Sequence, residues 1–158
     1  MANCNDFDAL STLIDCMEQT PPLTPAAVAA LSEKQRKIVE RMVETGETWN
    51  QASSGPSFLS LGEAEFRAHM GAIDNELGEQ VAIVSQFFTT YLNNGEIPPP
   101  YYPWRIAVIL RRIKEPEIEK RFLAAWCLHF PHAVGGRYTG LIERYQKLIR
   151  PSVRKISN

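Results

Sequence analysis

Residues 97–130 read IPPPYYPWRIAVILRRIKEPEIEKRFLAAWCLHF, and this stretch decides the fold of the chain. Because proline fixes φ and removes a backbone donor, residues 98–103 are predicted to run extended as a proline-rich elbow, with a helix beginning at about Trp104. Pro116 ends that helix and can open the next one, which predicts a helical hairpin. Apolar residues that recur at helical spacing predict the buried face of this hairpin: Ile109, Leu110, Phe122 and Trp126.

Helical signals also dominate residues 20–46. Thr24 and Pro25 are residue types that favour the cap and the first position of a helix, and Gly46 favours its end. Ser32 and Gln35 have the spacing of a capping box, which predicts that this helix breaks and restarts at Ser32. Helical periodicity recurs in the other long segments, so we predict an all-α fold.

The composition is that of one folded domain. The chain has 158 residues, of which 44% are hydrophobic and 22% charged, which suffices for a buried core and argues against disorder. No signal-peptide pattern and no stretch of about 18 apolar residues occurs, so we expect a cytoplasmic protein without a membrane span. We predict one compact bundle of about seven to eight helices over residues 1–158, with a frayed tail at 152–158.

The net charge of −1 hides a marked asymmetry. Residues 1–100 carry five Lys and Arg against fourteen Asp and Glu, a net −9, whereas residues 101–158 carry twelve against four, a net +8. Such a division bears on partners rather than on fold. Either the two halves neutralise each other on folding, or the basic half binds nucleic acid or an acidic protein, or copies associate head to tail.

Aromatic and arginine residues in and after the elbow are the first candidate binding site. Such residues are the usual anchors of protein interfaces. They support the hypothesis of a non-catalytic interaction or regulatory protein that docks a protein partner. The predicted partner-binding residues are Tyr101, Tyr102, Trp104, Arg105, Arg111 and Arg112.

A nucleic-acid-binding regulator is the alternative, because Lys and Arg side chains that follow a phosphate backbone dominate such binding. Together with the arginines after Trp104, the residues predicted to contact phosphate are Arg137, Arg144, Lys147, Arg150, Arg154 and Lys155.

A second nucleic-acid signal lies between Leu31 and Leu77. There LSEKQRKIVERMVETGETWNQA, followed by LSLGEAEFRAHMGAIDNEL, resembles the helix-turn-helix of response-regulator output domains and of sigma-factor region 4. The resemblance places Gly46 in the turn and residues 63–69 at the start of a recognition helix, which implies insertion into the DNA major groove. The loop is longer than the family pattern, and few basic residues are present to neutralise phosphate.

Cys127, His129 and His132 lie close in sequence and are residue types that bind metals or act as nucleophiles. Pro131 breaks the helix between the two histidines, and no second cluster supplies a fourth ligand. The three cysteines of the chain are odd in number and form no close pair, which favours free thiols. We therefore predict no metal, no cofactor and no enzymatic activity.

Overall fold

Eight α-helices and one short 3-10 helix form the described part of the chain, residues 2–53 and 57–150 of a computed structural model, and no strand occurs there. This confirms the predicted all-α fold. The tail predicted at 152–158 lies outside the described residues. The α-helices are α1 (Cys4–Gln19), α2 (Pro25–Thr45), α3 (Trp49–Ser53), α4 (Glu63–Ile73), α5 (Leu77–Asn94), α6 (Tyr101–Arg112), α7 (Pro116–His129) and α8 (Gly136–Ile149), and the 3-10 helix is Ser57–Ser60.

The core forms where α1, α5, α6 and α7 pack together and α8 covers α6 and α7. The hairpin supplies its centre, because Phe122, Leu110 and Trp126 are all at most 1% exposed. Ile109 is buried as well, so all four predicted core residues of the hairpin are confirmed. Burial of this aromatic and aliphatic surface is the main force that holds the helices together.

Helix direction gives the bundle two different ends. Helices α1, α5 and α7 run the same way, since Asp6 lies beside Gly78 at their N-terminal ends and Met17 contacts His129 near the C-terminal ends. Helices α6 and α8 run the opposite way. We call the end with the C-termini of α1, α5 and α7 the convergent end, and the end with the α6–α7 turn and the C-terminus of α8 the hairpin end.

The proline-rich elbow is shorter than predicted. Helix α6 begins at Tyr101, not at Trp104, and Pro100 before it already has helical dihedral angles. Pro103 lies in the first turn of α6, where a backbone N–H has no intrahelical acceptor and its loss costs little. The prediction of extended backbone is therefore wrong for residues 100–103, and the tyrosines are part of the helix.

The hairpin turn itself was predicted correctly. Helix α6 ends at Arg112 and α7 begins at Pro116, whose missing N–H is tolerated at the first helical position. Lys114 adopts a left-handed conformation with φ of 63°. The N–H of Glu115 then donates to the carbonyl of Leu110 at 2.9 Å, which closes the end of α6.

Helix α2 is continuous, so the predicted restart at Ser32 is wrong. The Ser32 hydroxyl donates to the carbonyl of Val28 one turn earlier instead of capping a new helix. Both predicted ends are confirmed: Thr24 accepts from the N–H of Ala27 at 3.2 Å, and Gly46 ends the helix with φ of 71°.

Candidate partner-binding surfaces

Tyr102 is a core residue, which makes its predicted role as a surface anchor wrong. Its side chain is 3% exposed, and its ring centroid lies 5.5 Å from that of Phe87. Its hydroxyl donates to the sulfur of Met70 at 3.8 Å. Desolvation raises the pKa of Tyr102 to about 12. The early start of α6 is the cause, because it turns this ring inward.

Tyr101 and Arg105 fasten α6 to the residue that follows α4. The Tyr101 hydroxyl donates to the carboxylate of Asp74. Arg105 donates from Nε and Nη2 to the backbone carbonyl of Asp74 at 2.9 and 2.8 Å, and its Nη2 lies 2.9 Å from Asp74 Oδ2. Burial, then the bond to Asp74, raises the pKa of Tyr101. Both side chains therefore have internal partners that an external protein would have to replace.

The ring of Trp104, on α6, packs against α8. Its half-buried ring lies against Gly140, where a Cβ, had the residue one, would come within 3.2 Å of ring atom Cζ3. Arg111 lies on the same side of α6 and lines a shallow depression with Trp104 and Arg144. The exposed edge of Trp104 is thus the part of the predicted aromatic site that still borders a cationic surface.

Arg144 is paired inside the bundle. It donates from Nε and Nη2 to the two carboxylate oxygens of Glu119 at 2.6 and 2.7 Å. Glu119 is 1% exposed, so the pair clamps α8 onto α7. The bond to Glu119 raises the pKa of Arg144. Its charge is therefore largely neutralised and contributes little to a phosphate surface.

Most Lys and Arg side chains of the basic half, residues 101–158, form no ion pair within the described part of the chain. Of its ten Lys and Arg residues in the described chain, Arg105 and Arg121 form ion pairs with the acidic half, and Arg144 pairs with Glu119. Arg154 and Lys155 lie outside the described residues. Within the described ranges, no carboxylate lies at ion-pair distance from the remaining seven, which are Arg111, Arg112, Lys114, Lys120, Arg137, Lys147 and Arg150.

Several of these cations meet at the hairpin end. Arg111, Arg112 and Lys114 surround the α6–α7 turn, and Lys147 and Arg150 follow along the last turns of α8, beyond the contact of Arg144 with Glu119. All five are exposed. Arg112 makes one bond to a neutral group, from Nη1 to Asn75 Oδ1 at 2.7 Å. We call these residues, with the exposed Ile113 between them, the hairpin-end surface.

Arg137 is separate from this surface. It lies in the first turn of α8, at the opposite end of that helix from Lys147 and Arg150. Its guanidinium carbon lies 4.9 Å from the ring centroid of Tyr101, a cation–π contact. The predicted phosphate-binding residues are therefore divided between two locations.

The convergent end carries an apolar groove of about 330 Å³. It is bordered by the segments that follow α1, α5 and α7, and its twelve lining residues include no Lys, Arg, Asp or Glu. Three aliphatic side chains on its margin are about half exposed: Val28 at 45%, Ile97 at 54% and Leu128 at 45%. No sequence pattern had pointed to this groove.

The residues of the Cys-His grouping have different surroundings. Burial raises the pKa of the Cys127 thiol to about 11, which makes it a poor nucleophile or ligand near neutral pH. His129 is buried and its Nε2 lies 2.7 Å from the carbonyl oxygen of Met17, whereas His132 is exposed. Among the described residues, no three His, Cys, Asp or Glu side chains are placed to hold a metal ion.

The segment that resembles a helix-turn-helix has a different geometry. Residues 46–62 separate α2 from α4 and contain α3 and the 3-10 helix, whereas the motif joins its helices by three or four residues. On α4, Arg67 pairs with Glu63 one turn away. The resemblance therefore does not extend to the structure.

No protein-family model matches this chain, and neither a curated protein nor a solved structure matches it. Among the described residues, no helix combines the length and the apolar character needed to cross a membrane.

Proposed function

We propose that this chain is a non-catalytic interaction protein that docks an acidic protein partner on the hairpin-end surface. The observation that carries the proposal is the set of five exposed cations without carboxylate partners at this end of the described chain. Keeping so many like charges together opposes folding, because they repel one another. An acidic partner would relieve this repulsion and be attracted from a distance.

The mixed character of the surface favours protein over nucleic acid. Ile113, which lies between Arg112 and Lys114 in the sequence, is 39% exposed, and Trp104 lines a shallow depression together with Arg111. An apolar centre within a charged rim is the usual arrangement of protein interfaces.

Nucleic acid remains the second candidate function. Lys147 and Arg150 extend the cationic surface along α8, and the sequence continues with Arg154 and Lys155. A phosphate backbone could follow such a row. In that case affinity for duplex DNA would fall by about 0.9 log units per log unit of salt for each phosphate neutralised.

The test compares three forms of the full chain as bait in quantitative affinity capture, followed by reconstitution with the purified captured protein. The variant Arg111→Glu/Arg112→Glu/Lys114→Glu reverses the hairpin-end surface. The control Lys34→Glu/Lys37→Glu reverses cations of α2 instead. We expect the triple variant to lose an acidic partner at least about tenfold in affinity and the control to keep it, since each residue faces solvent.

Two results would contradict the proposal. One is a partner that binds wild type and the triple variant equally. The other is tight binding of a duplex oligonucleotide by wild type, with a steep salt dependence that the triple variant reduces, which would establish the second candidate. A captured partner that is a second copy of this chain would instead identify self-association, and sedimentation would show the oligomer directly.

A further inference from the structure

A second groove lies between α1 and α7, in the N-terminal part of both helices. It has a volume of about 300 Å³, and its floor is formed by three apolar side chains, Phe7, Ile14 and Ile118. Phe7 and Ile118 are only half-buried. The floor therefore keeps apolar surface that another side chain could cover with a gain in free energy. We call this site the α1–α7 groove.

The rim of the α1–α7 groove is acidic. Asp8 and Glu117 are both exposed and line it from the two helices. Among the described residues, neither carboxylate has an ion-pair partner. Lys120, one turn after Glu117, does not line the groove. Two carboxylates are thus available to a cation that enters it.

Arg121 lines the same groove but does not neutralise it. Its Nη2 donates to Asp15 Oδ1 at 2.6 Å, and its Nε and Nη2 donate to the two carboxylate oxygens of Glu18 at 2.9 and 2.6 Å. With Asp8 and Glu117, four carboxylates surround one guanidinium, which leaves a net charge of −3. The N-termini of α1 and α7 each contribute about half a positive charge, which reduces this excess without cancelling it.

The last eight residues of the sequence have the complementary composition. They read PSVRKISN, residues 151–158, and lie outside the described residues. They include two cations, Arg154 and Lys155, and no Asp or Glu. Two aliphatic residues, Val153 and Ile156, flank these cations. Basic and aliphatic side chains together suit an acidic rim around an apolar floor.

The α1–α7 groove is within reach of this segment. Helix α8 contacts α7 through Glu119, and α1 contacts α7 through Arg121, so the segment has to cross α7. Arg150, at the end of α8, lies at the hairpin end, where α1 and α7 begin. With neighbouring helix axes about 8 to 10 Å apart, the crossing takes roughly 15 to 20 Å. Five extended residues span about 16 to 18 Å and end at Lys155, whose long side chain adds to that reach.

We propose that residues 151–158 bind in the α1–α7 groove of their own chain. Arg154 and Lys155 form ion pairs with Asp8 and Glu117, and the aliphatic side chains of the segment cover the apolar floor. Two of the cations assigned to the second candidate function would then be held by carboxylates of the acidic half. The proposal does not depend on a partner at the hairpin-end surface.

Backbone ¹⁵N relaxation of the full chain at low salt tests this contact. In wild type, the order parameters of residues 153–156 should exceed about 0.6, below which a backbone is flexible. In Arg154→Glu/Lys155→Glu they should fall below that value, because the acidic rim then repels the segment. This variant changes no residue of the described helices. Values below about 0.6 in wild type, or equal values in both proteins, would overturn the proposal.

A charge exchange locates the site. Asp8→Lys/Glu117→Lys reverses the rim and should release the segment, whereas Glu44→Lys/Glu65→Lys reverses exposed carboxylates of α2 and α4 and should not. Combining the reversed rim with the reversed segment should restore order parameters above about 0.6. An ordered segment in the rim variant, or no restoration in the combined protein, would refute the site.

Cross-linking with a carbodiimide identifies the chain that supplies the segment. The reagent joins an amine to a carboxylate that it touches, so Lys155 should be linked to Asp8 or Glu117. In a mixture of ¹⁴N and ¹⁵N protein, the masses of the linked peptides show whether both come from one chain. Links between chains would assign the groove to the segment of a second copy, and absence of both links would place the segment elsewhere. Either result would overturn the proposal.

Discussion

The two ends of the bundle differ in charge. At the hairpin end, Arg111, Arg112 and Lys114 lie around one turn, with Lys147 and Arg150 along the end of α8. At the convergent end, the groove is apolar and no Lys, Arg, Asp or Glu lines it. Side-chain charge can be read from a sequence, whereas a groove forms only where segments that are distant in sequence pack together. For this reason the basic surface was predicted and the groove was not.

Removal of the Glu119 carboxylate should have the largest effect on stability, because it breaks the contact that joins α7 to α8 toward the hairpin end. Glu119→Ala leaves Arg144 without its bidentate partner, and removing one member of a buried pair costs about 3 kcal/mol or more. Chemical denaturation of wild type and variant measures the difference. Glu117→Ala, at an exposed position of the same helix, is the control and should change the unfolding free energy by less than about 0.5 kcal/mol.

The double variant Glu119→Leu/Arg144→Leu sharpens this result. It removes both charges together, so no unpaired charge stays buried, and stability should recover most of the loss. Equal destabilisation by Glu119→Ala and Glu117→Ala would mean that the clamp between α7 and α8 contributes nothing.

Local signals predicted the helices well and the surfaces poorly. The cap at Thr24, the helix end at Gly46 and the turn before Pro116 follow from the residue itself and its neighbours, and each is found as predicted. The start of α6 was missed because Pro103 is as acceptable in the third position of a helix as in the first. Both positions lack an intrahelical acceptor, so proline alone does not distinguish them.

Local sequence signals could not predict that Tyr101 and Arg105 bond an internal partner and are therefore not free to anchor another protein. Their partner Asp74 is about thirty residues away in sequence, and only the packing of α6 against the end of α4 brings them together. The groove had no readable signal either, because the segments that line it, which follow α1, α5 and α7, are far apart in sequence and meet only in the folded chain.

Alkaline pH should weaken the core between the two ends. The pKa of Tyr102 is raised to about 12 in the folded protein from the ordinary value of 10.0. The stabilisation is therefore complete below pH 10 and is lost between about pH 10 and 12, as the unfolded state releases the proton more readily. Urea titrations across this range should show this residue lowering the free energy of unfolding by roughly 1 to 2 kcal/mol.

The matched variant is Tyr102→Phe, which keeps the ring against Phe87 and removes the ionisable group. Its stability should fall less steeply above pH 10 than that of wild type. Tyr101, Tyr91 and Tyr138 also have raised pKa values, so part of the alkaline loss should persist in the variant. Identical pH profiles of stability for wild type and Tyr102→Phe would show that Tyr102 does not contribute to the alkaline loss of stability.

The smallest expected effect concerns Lys114, at the tip of the hairpin end. Its left-handed conformation, with φ of 63°, is one that glycine adopts freely and other residues at a cost of about 1 kcal/mol. Lys114→Gly should therefore raise the unfolding free energy by up to about 1 kcal/mol, whereas Lys114→Ala keeps the strain and should change it little. Denaturant unfolding of the two variants and wild type separates these effects.

Lys114 also links stability to the proposed function. Both variants remove the same charge from the hairpin-end surface, so both should weaken binding of an acidic partner equally, although only the glycine variant is more stable. A binding loss in both with a stability gain in one would indicate that the lysine is kept for its charge at the expense of backbone strain. Equal stability of the two variants would show that no strain is stored at this turn, and unchanged binding would remove Lys114 from the docking surface.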